Sequence, residues 1–480
     1  MTKFNQVTPR TIERLKEIVG EEHVLTSPED LARYGLDEIE ERYRSLPEVV
    51  VKPRTPEEIA AIMQLANRER IPVTPWGAGT GLSGGAIPVC GGIVISLERM
   101  NEILEIDLDN MMVTVEPGVV LADMMRAVEA RGLFYPVDVS TLESCHVGGN
   151  VAENAGGARA VKYGITGHWV YGLEMVTPTG KIVRLGGKRI KDVTGYNLVQ
   201  LVVGSEGTLG IITKITFRLT VKPKYVLDLL IPFDSLEDAV AQVLGLLREE
   251  QGLSAIEFMD FLSIRAAEQY LNLSLPYDDC EAHLLIQVDG MEEEGVWRAA
   301  ERVYKKLVHA GAKEVFVADN RITREKLWRA RRNIAEALKA LNSYISVEDI
   351  VVPRSQIPKM ATRLRELSRA HGLKVPLYGH IGDGNLHPTP VSGDRDEETW
   401  VRDLESFLVD MFKAVKELGG NITAEHGIGF KRVKYLPLAM GEVEIKLMEA
   451  IKRAWDPNGI LNPGKVVPVS LCKEVVNDVG

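Results

Sequence analysis

Apolar spacing divides the chain into alternating helical and extended stretches. Residues 8–20 place Thr8 at a helix cap, Pro9 at the first helical position and Gly20 at the end. A second helix is predicted from Thr55, with Pro56 inside it and Glu58 closing a capping box. Its apolar positions Ile59, Ile62, Met63 and Ala66 share one face. The period then shortens. Ile71–Pro75, Ile93–Leu97, Ile103–Asp107 and Met111–Glu116 are short and β-rich, with a turn at Asp109-Asn110. Val120–Ala130 is amphipathic again. Val170–Thr177 and Lys181–Leu185 read as a hairpin about Pro178–Gly180, and Gly210–Leu219 as a further strand.

After Lys222-Pro223 the glycines thin out. Strands are predicted at Val226–Pro232, Ala282–Val288 and Glu314–Ala318, and helices at Ser235–Glu249, Glu293–Ala310, Thr323–Leu341 and Ser355–Ala370. This is the pattern of an antiparallel sheet covered by helices. From about Gly419 glycine-rich loops return, followed by a helix near Val443–Trp455. The fold class is α+β, with residues 1–220 as one domain of two α+β subdomains, 221–418 as a second domain, and 419–480 returning to the first.

The length of 480 residues fits two to four domains and a large core. A net charge of −11 argues against a nucleic-acid partner and means that an anionic substrate needs a local positive centre. No apolar run approaches a membrane span, and the first residues carry no apolar signal segment, so a cytoplasmic protein is expected, peripheral to a membrane only through a partner. Cys90, Cys145, Cys280 and Cys472 lie far apart; this fits a reducing compartment and excludes a local iron–sulfur cluster.

Three glycine loops carry the first chemical signal. Pro75-Trp76-Gly77-Ala78-Gly79-Thr80-Gly81-Leu82-Ser83-Gly84-Gly85 contains a G-x-G-x-x-G pattern, but Pro88, Gly91 and Gly92 follow where a Rossmann helix would start. Rossmann binding is therefore rejected. A loop without side chains still lets backbone N–H groups face a phosphate. The second loop runs from Cys145 to Gly157 and on to Lys162-Tyr163-Gly164; the third is Val203-Gly204-Ser205-Glu206-Gly207-Thr208-Leu209-Gly210-Ile211-Ile212, opening a strand. Together they point to one large phosphate-bearing cofactor held by backbone.

The second signal is polar. His380-Ile381-Gly382-Asp383-Gly384-Asn385-Leu386-His387 follows a strand-like segment, and Glu425-His426-Gly427-Ile428-Gly429 comes later. Imidazoles with a carboxylate suit one divalent zinc, iron or manganese ion. The same residues also fit histidines in an ordinary surface loop.

The combination resembles the flavoproteins with a vanillyl-alcohol-oxidase-type FAD domain. More narrowly, it resembles the branch of D-lactate dehydrogenases, glycolate oxidase flavin subunits and D-2-hydroxyglutarate dehydrogenases. The resemblance covers nearly the whole chain and implies an FAD domain with an antiparallel-sheet cap domain. It implies FAD contacts at Pro75, Gly77, Ala78, Gly79, Thr80, Gly81 and Leu82 in the first loop. Further implied contacts are Asp138, Ser140, Gly148, Gly149, Asn150, Gly156, Gly157, Tyr163, Gly164, Glu206, Gly207, Ile212 and Asn462. No histidine lies in the first loop, so the FAD is expected to be non-covalent; His146 reads as a packing or loop residue.

The resemblance further implies that His380, His387 and Glu425 bind a metal, that His426 is the catalytic base, that Asn385 lies near flavin and substrate, and that Arg331 grips the substrate carboxylate. Relatives acting on a dicarboxylate carry a Thr and a Lys where this chain has Ala335 and Val347, which favours a small monocarboxylic acid such as D-lactate or glycolate. The electrons would leave to an external acceptor: an iron–sulfur subunit, an electron-transferring flavoprotein, a quinone or a cytochrome. A homodimer or a hetero-complex is compatible with this. The competing readings are a non-catalytic FAD-binding subunit, a D-2-hydroxyglutarate dehydrogenase, and an ether-lipid-forming transferase. The last lacks the basic amphipathic helix it would need.

Overall fold

The computed structural model describes residues 4–250, 252–276 and 279–468. The chain forms two compact units. One comprises Met1–Ala155, Ile165–Lys222 and Glu425–Gly480; the other comprises Gly156–Gly164 and Pro223–Ala424.

The first unit holds a four-stranded and a five-stranded sheet. In the smaller one, Val49–Val51 and Val73–Trp76 flank Ile93–Ser96 in parallel, and Val24–Leu25 adds an antiparallel edge. Buried Val49, Val51, Val73, Ile93 and Ile95 pack on Ile59, Ile62, Met63 and Ala66 of the helix Pro56–Glu69. The apolar face predicted for that helix is thus its buried face. Thr55 caps it as expected, but the return bond of the capping box goes elsewhere: Glu58 Oε2 accepts from the backbone of Arg54 at 2.6 Å. The larger sheet is antiparallel, in the order 103–107, 112–115, 211–218, 170–176, 182–186, and includes the predicted hairpin.

The second unit is a seven-stranded antiparallel sheet with helices, as the alternation predicted. Its central strands are Tyr225–Phe233, Leu253–Asp260 and Ala282–Gly290. The single helix expected over 323–341 is two helices, Arg321–Arg332 and Ile334–Leu341. Asn333, at φ −95° and ψ 10°, separates them, and its side-chain amide shares the carbonyl of Arg329, at 2.8 Å, with its own N–H. The helix Glu397–Glu417, capped by Asp396, is absent from the sequence-based assignment although Trp400, Leu404, Phe407, Leu408 and Met411 mark its buried face.

No helix among the described residues is long and apolar enough to cross a membrane. Cys145 and Cys280 are buried free thiols.

Candidate active site

In the first unit the glycine loops are tied together by their main chains. Residues 77–92 contain no helix, in agreement with the rejection of a Rossmann site. The second loop is less irregular than expected, because Val147–Glu153 forms a short helix. Gly148 permits it: a Cβ there would lie 2.5 Å from Pro117 Cβ. Gly204 N and Glu206 N donate to the carbonyls of Val151 and Ala152 at 3.0 and 2.8 Å, joining the third loop to the second. Asn462 joins the first loop to the third, donating from Nδ2 to Gly85 O at 2.9 Å and to Glu206 O at 2.7 Å.

This arrangement fits the phosphates of FAD. Gly79 has φ +73°, and its Cβ would strike Trp76 at 2.5 Å, so only glycine allows that backbone turn. A Cβ on Gly149 would meet nothing within 4 Å, so this glycine faces open space. Gly77 stands opposite it, at 3.9 Å from the Gly149 backbone to its own notional Cβ. A gap bordered by two bare backbones suits a bulky anionic group. Thr80, Gly81 and Leu82 are half-buried in the same loop, as is Asp138, while Ser140 is exposed. Gly207 has φ +66°, and Ile212 is buried in the strand Ile211–Arg218. His146 precedes the short helix, and burial lowers its pKa.

Beneath the loops lies a buried charged cluster that sequence reasoning found only in part. Lys465 Nζ donates to Ile87 O at 2.5 Å, and burial lowers its pKa to about 8. Burial raises Asp37 to about 7 and pushes the carboxyls of Glu153 and Glu206 upward. In Glu206 two backbone bonds oppose that rise, from Ile428 at 2.8 Å and Gly429 at 2.6 Å. Glu425 and His426 open the same segment, with Nε2 of His426 3.8 Å from Oε1 of Glu425.

In the second unit the sheet assembles a second group. Strands Leu377–Gly379 and Asn385–Pro388 pair so that Tyr378 faces His387, with His380 in the connecting turn. The glycines of this motif serve close approach. A Cβ on Gly379 would lie 2.5 Å from Asn385 O, and one on Gly384 would lie 2.3 Å from Val352 O. The rings of His380 and His387 meet edge to face at 5.3 Å. His380 Nδ1 bonds both oxygens of Glu257 at 2.8 and 2.9 Å. His387 Nδ1 lies 3.3 Å from Glu348 O. Nδ1 engaged on an acceptor presents Nε2 as the ligand nitrogen, which is the arrangement of metal-binding histidines. Two imidazoles held in this way can each offer Nε2 to a divalent ion.

Glu257 has no exposed surface and also pairs with Arg331, Oε2 to Nη2, at 2.8 Å. Burial alone would raise its pKa, but His380, Arg331 and His387 outweigh it and hold the carboxylate below its ordinary range. The Arg331 guanidinium also stacks over Tyr378 at 5.2 Å. Asn385 donates to Asp349 Oδ1 at 2.7 Å and to Ile350 O at 3.0 Å; Asp349 Oδ2 accepts from Thr423 Oγ1 and Ala424 N at 2.7 and 2.8 Å. Of the expected FAD contacts, Gly156, Gly157, Tyr163 and Gly164 belong to this unit, where Tyr163 donates to Asp289 at 2.8 Å. Sequence reasoning missed Glu257, Asp349 and Tyr378. Glu257 interrupts the apolar strand Leu253–Asp260, and a charge at such a position was the available signal.

Residues 222–466 match the C-terminal domain of FAD linked oxidases, and residues 47–186 match an FAD binding domain. The chain belongs to the FAD-linked oxidase family. This FAD-linked oxidase is 39% identical over 469 residues to a D-lactate dehydrogenase of Anaerostipes hadrus, covering 97% of this chain and 98% of that one. It is 38% identical to the glycolate oxidase subunit GlcD of Bacillus subtilis, covering 98% and 99%. It is 31% identical to a D-2-hydroxyglutarate dehydrogenase of Stutzerimonas stutzeri, covering 95% and 99%. A p-cresol methylhydroxylase structure shares the fold with a TM-score of 0.78 at 20% identity, over 96% of this chain and 97% of that one. The FAD-linked oxidase is thus an FAD-dependent oxidoreductase of the vanillyl-alcohol-oxidase type, in the D-lactate, glycolate and D-2-hydroxyglutarate branch, as its loops had implied.

Proposed function

We propose that this flavoprotein oxidises a small D-2-hydroxy acid, with D-lactate or glycolate favoured, to the 2-oxo acid. The observation that carries the reading is Arg331. Its guanidinium is buried; Nη2 pairs with Glu257 Oε2 at 2.8 Å, while Nε has no hydrogen-bond partner among the described residues. A buried donor without an acceptor is costly, and a substrate carboxylate would satisfy it as a charge-assisted pair.

FAD, held non-covalently by the glycine loops, would supply the hydride acceptor. A zinc, iron or manganese ion held by His380, His387 and Glu425 would supply Lewis acidity toward the substrate hydroxyl. His426 is then the general base that takes the hydroxyl proton, and Asn385, fixed by Asp349, orients the substrate. Ala335 and Val347, standing where dicarboxylate-oxidising relatives carry Thr and Lys, favour a monocarboxylic acid.

Three relatives carry the name of a glycolate oxidase subunit, which supports a place for this chain in a multi-subunit assembly. Electrons would pass to an iron–sulfur subunit, an electron-transferring flavoprotein, a quinone or a cytochrome, at a cytoplasmic site. The test is anaerobic mixing of the yellow protein with D- and L-lactate, glycolate and D-2-hydroxyglutarate. Bleaching by D-lactate or glycolate, lost on chelation and restored by one divalent metal, supports the reading. Preference for D-2-hydroxyglutarate overturns the substrate, and no bleaching by any acid overturns the activity.

A further inference from the structure

Glu206 sits in the third glycine loop with a left-handed backbone, φ 51°, and is buried. The conformation is uncommon for a residue with a Cβ and is maintained only where the surroundings require it. What the side chain does there is specific. Oε1 accepts the N–H of Ile428 at 2.8 Å, and Oε2 accepts the N–H of Gly429 at 2.6 Å. Two successive amides pointing the same way form a small anion-binding concavity, and one carboxylate fills it with one oxygen each.

The amides belong to the turn that directly follows His426. Glu153, at the end of the helix Val147–Glu153, stands beside it. A Cβ on Gly427 would lie 2.4 Å from Glu153 Oε2 and 2.8 Å from Glu206 Oε1, so both carboxyls pack against the face of the turn that a side chain at 427 would occupy. The first loop completes the clamp. Lys431 N donates to Ser83 O at 3.0 Å, and Arg432 Nη1 reaches Leu82 O and Gly427 O at 3.3 Å each.

We propose that Glu206 is a positioning residue, with Glu153 packed beside it against the same turn: it fixes the main chain of residues 427–429 and thereby the placement of His426. The inference rests on the reading of His426 as the base. The clamp demands a carboxylate. Glutamine offers one acceptor and sets its NH2 against the second N–H, and aspartate is one methylene too short for the same reach. Small displacements of a general base slow proton transfer steeply while leaving substrate affinity alone.

The experiment uses flavin-loaded Glu206→Gln and Glu153→Ala proteins, with two readouts. In anaerobic stopped flow, Glu206→Gln is expected to keep its flavin and an apparent substrate Kd within about 2-fold, while its limiting rate of flavin reduction falls by about 10²-fold. Hydrogen exchange at the amides of Ile428 and Gly429 is expected to quicken at least about 10-fold once the bonds are gone. Unchanged exchange, or a wild-type limiting rate, overturns the proposal; so does a loss confined to flavin content, which would make Glu206 a cofactor residue. If Glu206→Gln does not fold, Glu153→Ala decides by the same readouts, with a limiting rate lowered at least about 5-fold expected and a wild-type rate overturning. A wild type that no hydroxy acid bleaches would sink the reading of His426, whereas the exchange measurement still judges the clamp.

Discussion

Arg331 and Glu257 form an ion pair at 2.8 Å in which neither side chain is more than 9% exposed. Glu257 is shared with His380, so one buried carboxylate orients both a cation suited to a substrate and a histidine suited to a metal. Replacing Arg331 by Lys keeps the charge but loses the planar fork. The expected result is a rise in KM for the hydroxy acid of about 10- to 100-fold with flavin content unchanged, read from steady-state kinetics. An unaltered KM would remove Arg331 from the substrate.

Removing Glu257 tests the other half of the pair. Glu257→Ala leaves the Arg331 charge buried without its counter-ion, which costs about 3–5 kcal/mol. Urea unfolding of the flavin-loaded protein should show a loss of that order. A variant as stable as the wild type would mean that the pair is better solvated than its burial indicates.

Gly149 separates folding from cofactor binding. It lies inside a short helix, and nothing among the described residues would meet its Cβ within 4 Å. Alanine there favours the helix by up to about 1 kcal/mol. Gly149→Ala should therefore melt no lower than the wild type without flavin, yet bind FAD at least about 10-fold more weakly, because the methyl enters the gap between the loops. Equal FAD titration curves would place the cofactor elsewhere.

Asp37 gives a pH signature. Burial raises its folded pKa to about 7, so the folded state binds its proton more tightly than the unfolded chain does. The stability from the neutral carboxyl is present below the unfolded value near 4 and is lost as pH climbs toward 7, by about 4 kcal/mol at most. Asp37→Asn abolishes that dependence. Its melting temperature should gain on the wild type between pH 5 and pH 8, and parallel curves would show that Asp37 is not the titrating group.

Gly427 has φ +84°, and a Cβ there would strike both Glu153 and Glu206. Gly427→Ala should cost about 1–3 kcal/mol through backbone strain, seen as a lowered melting temperature. It should also slow flavin reduction more than Gly393→Ala, where φ is +56° but nothing lies within 4 Å of the added carbon. Equal effects would show that strain alone is responsible.

Local pattern determined a great deal of this protein. Caps, apolar faces and glycine runs are set by neighbours three or four residues apart, so Thr55, the hairpin at 170–186 and the three loops were legible in order. The two histidines of 380–387 were legible too, because their glycines lie beside them. What tertiary structure decided was which charge meets which. Glu257 and His380 are 123 positions apart, and Glu206 and Gly429 are 223 apart. No short-range period encodes such a pairing. It arises when strands 253–260 and 377–379 align in one sheet, and when the last segment folds back under the glycine loops, where buried polar groups must find partners or remain costly.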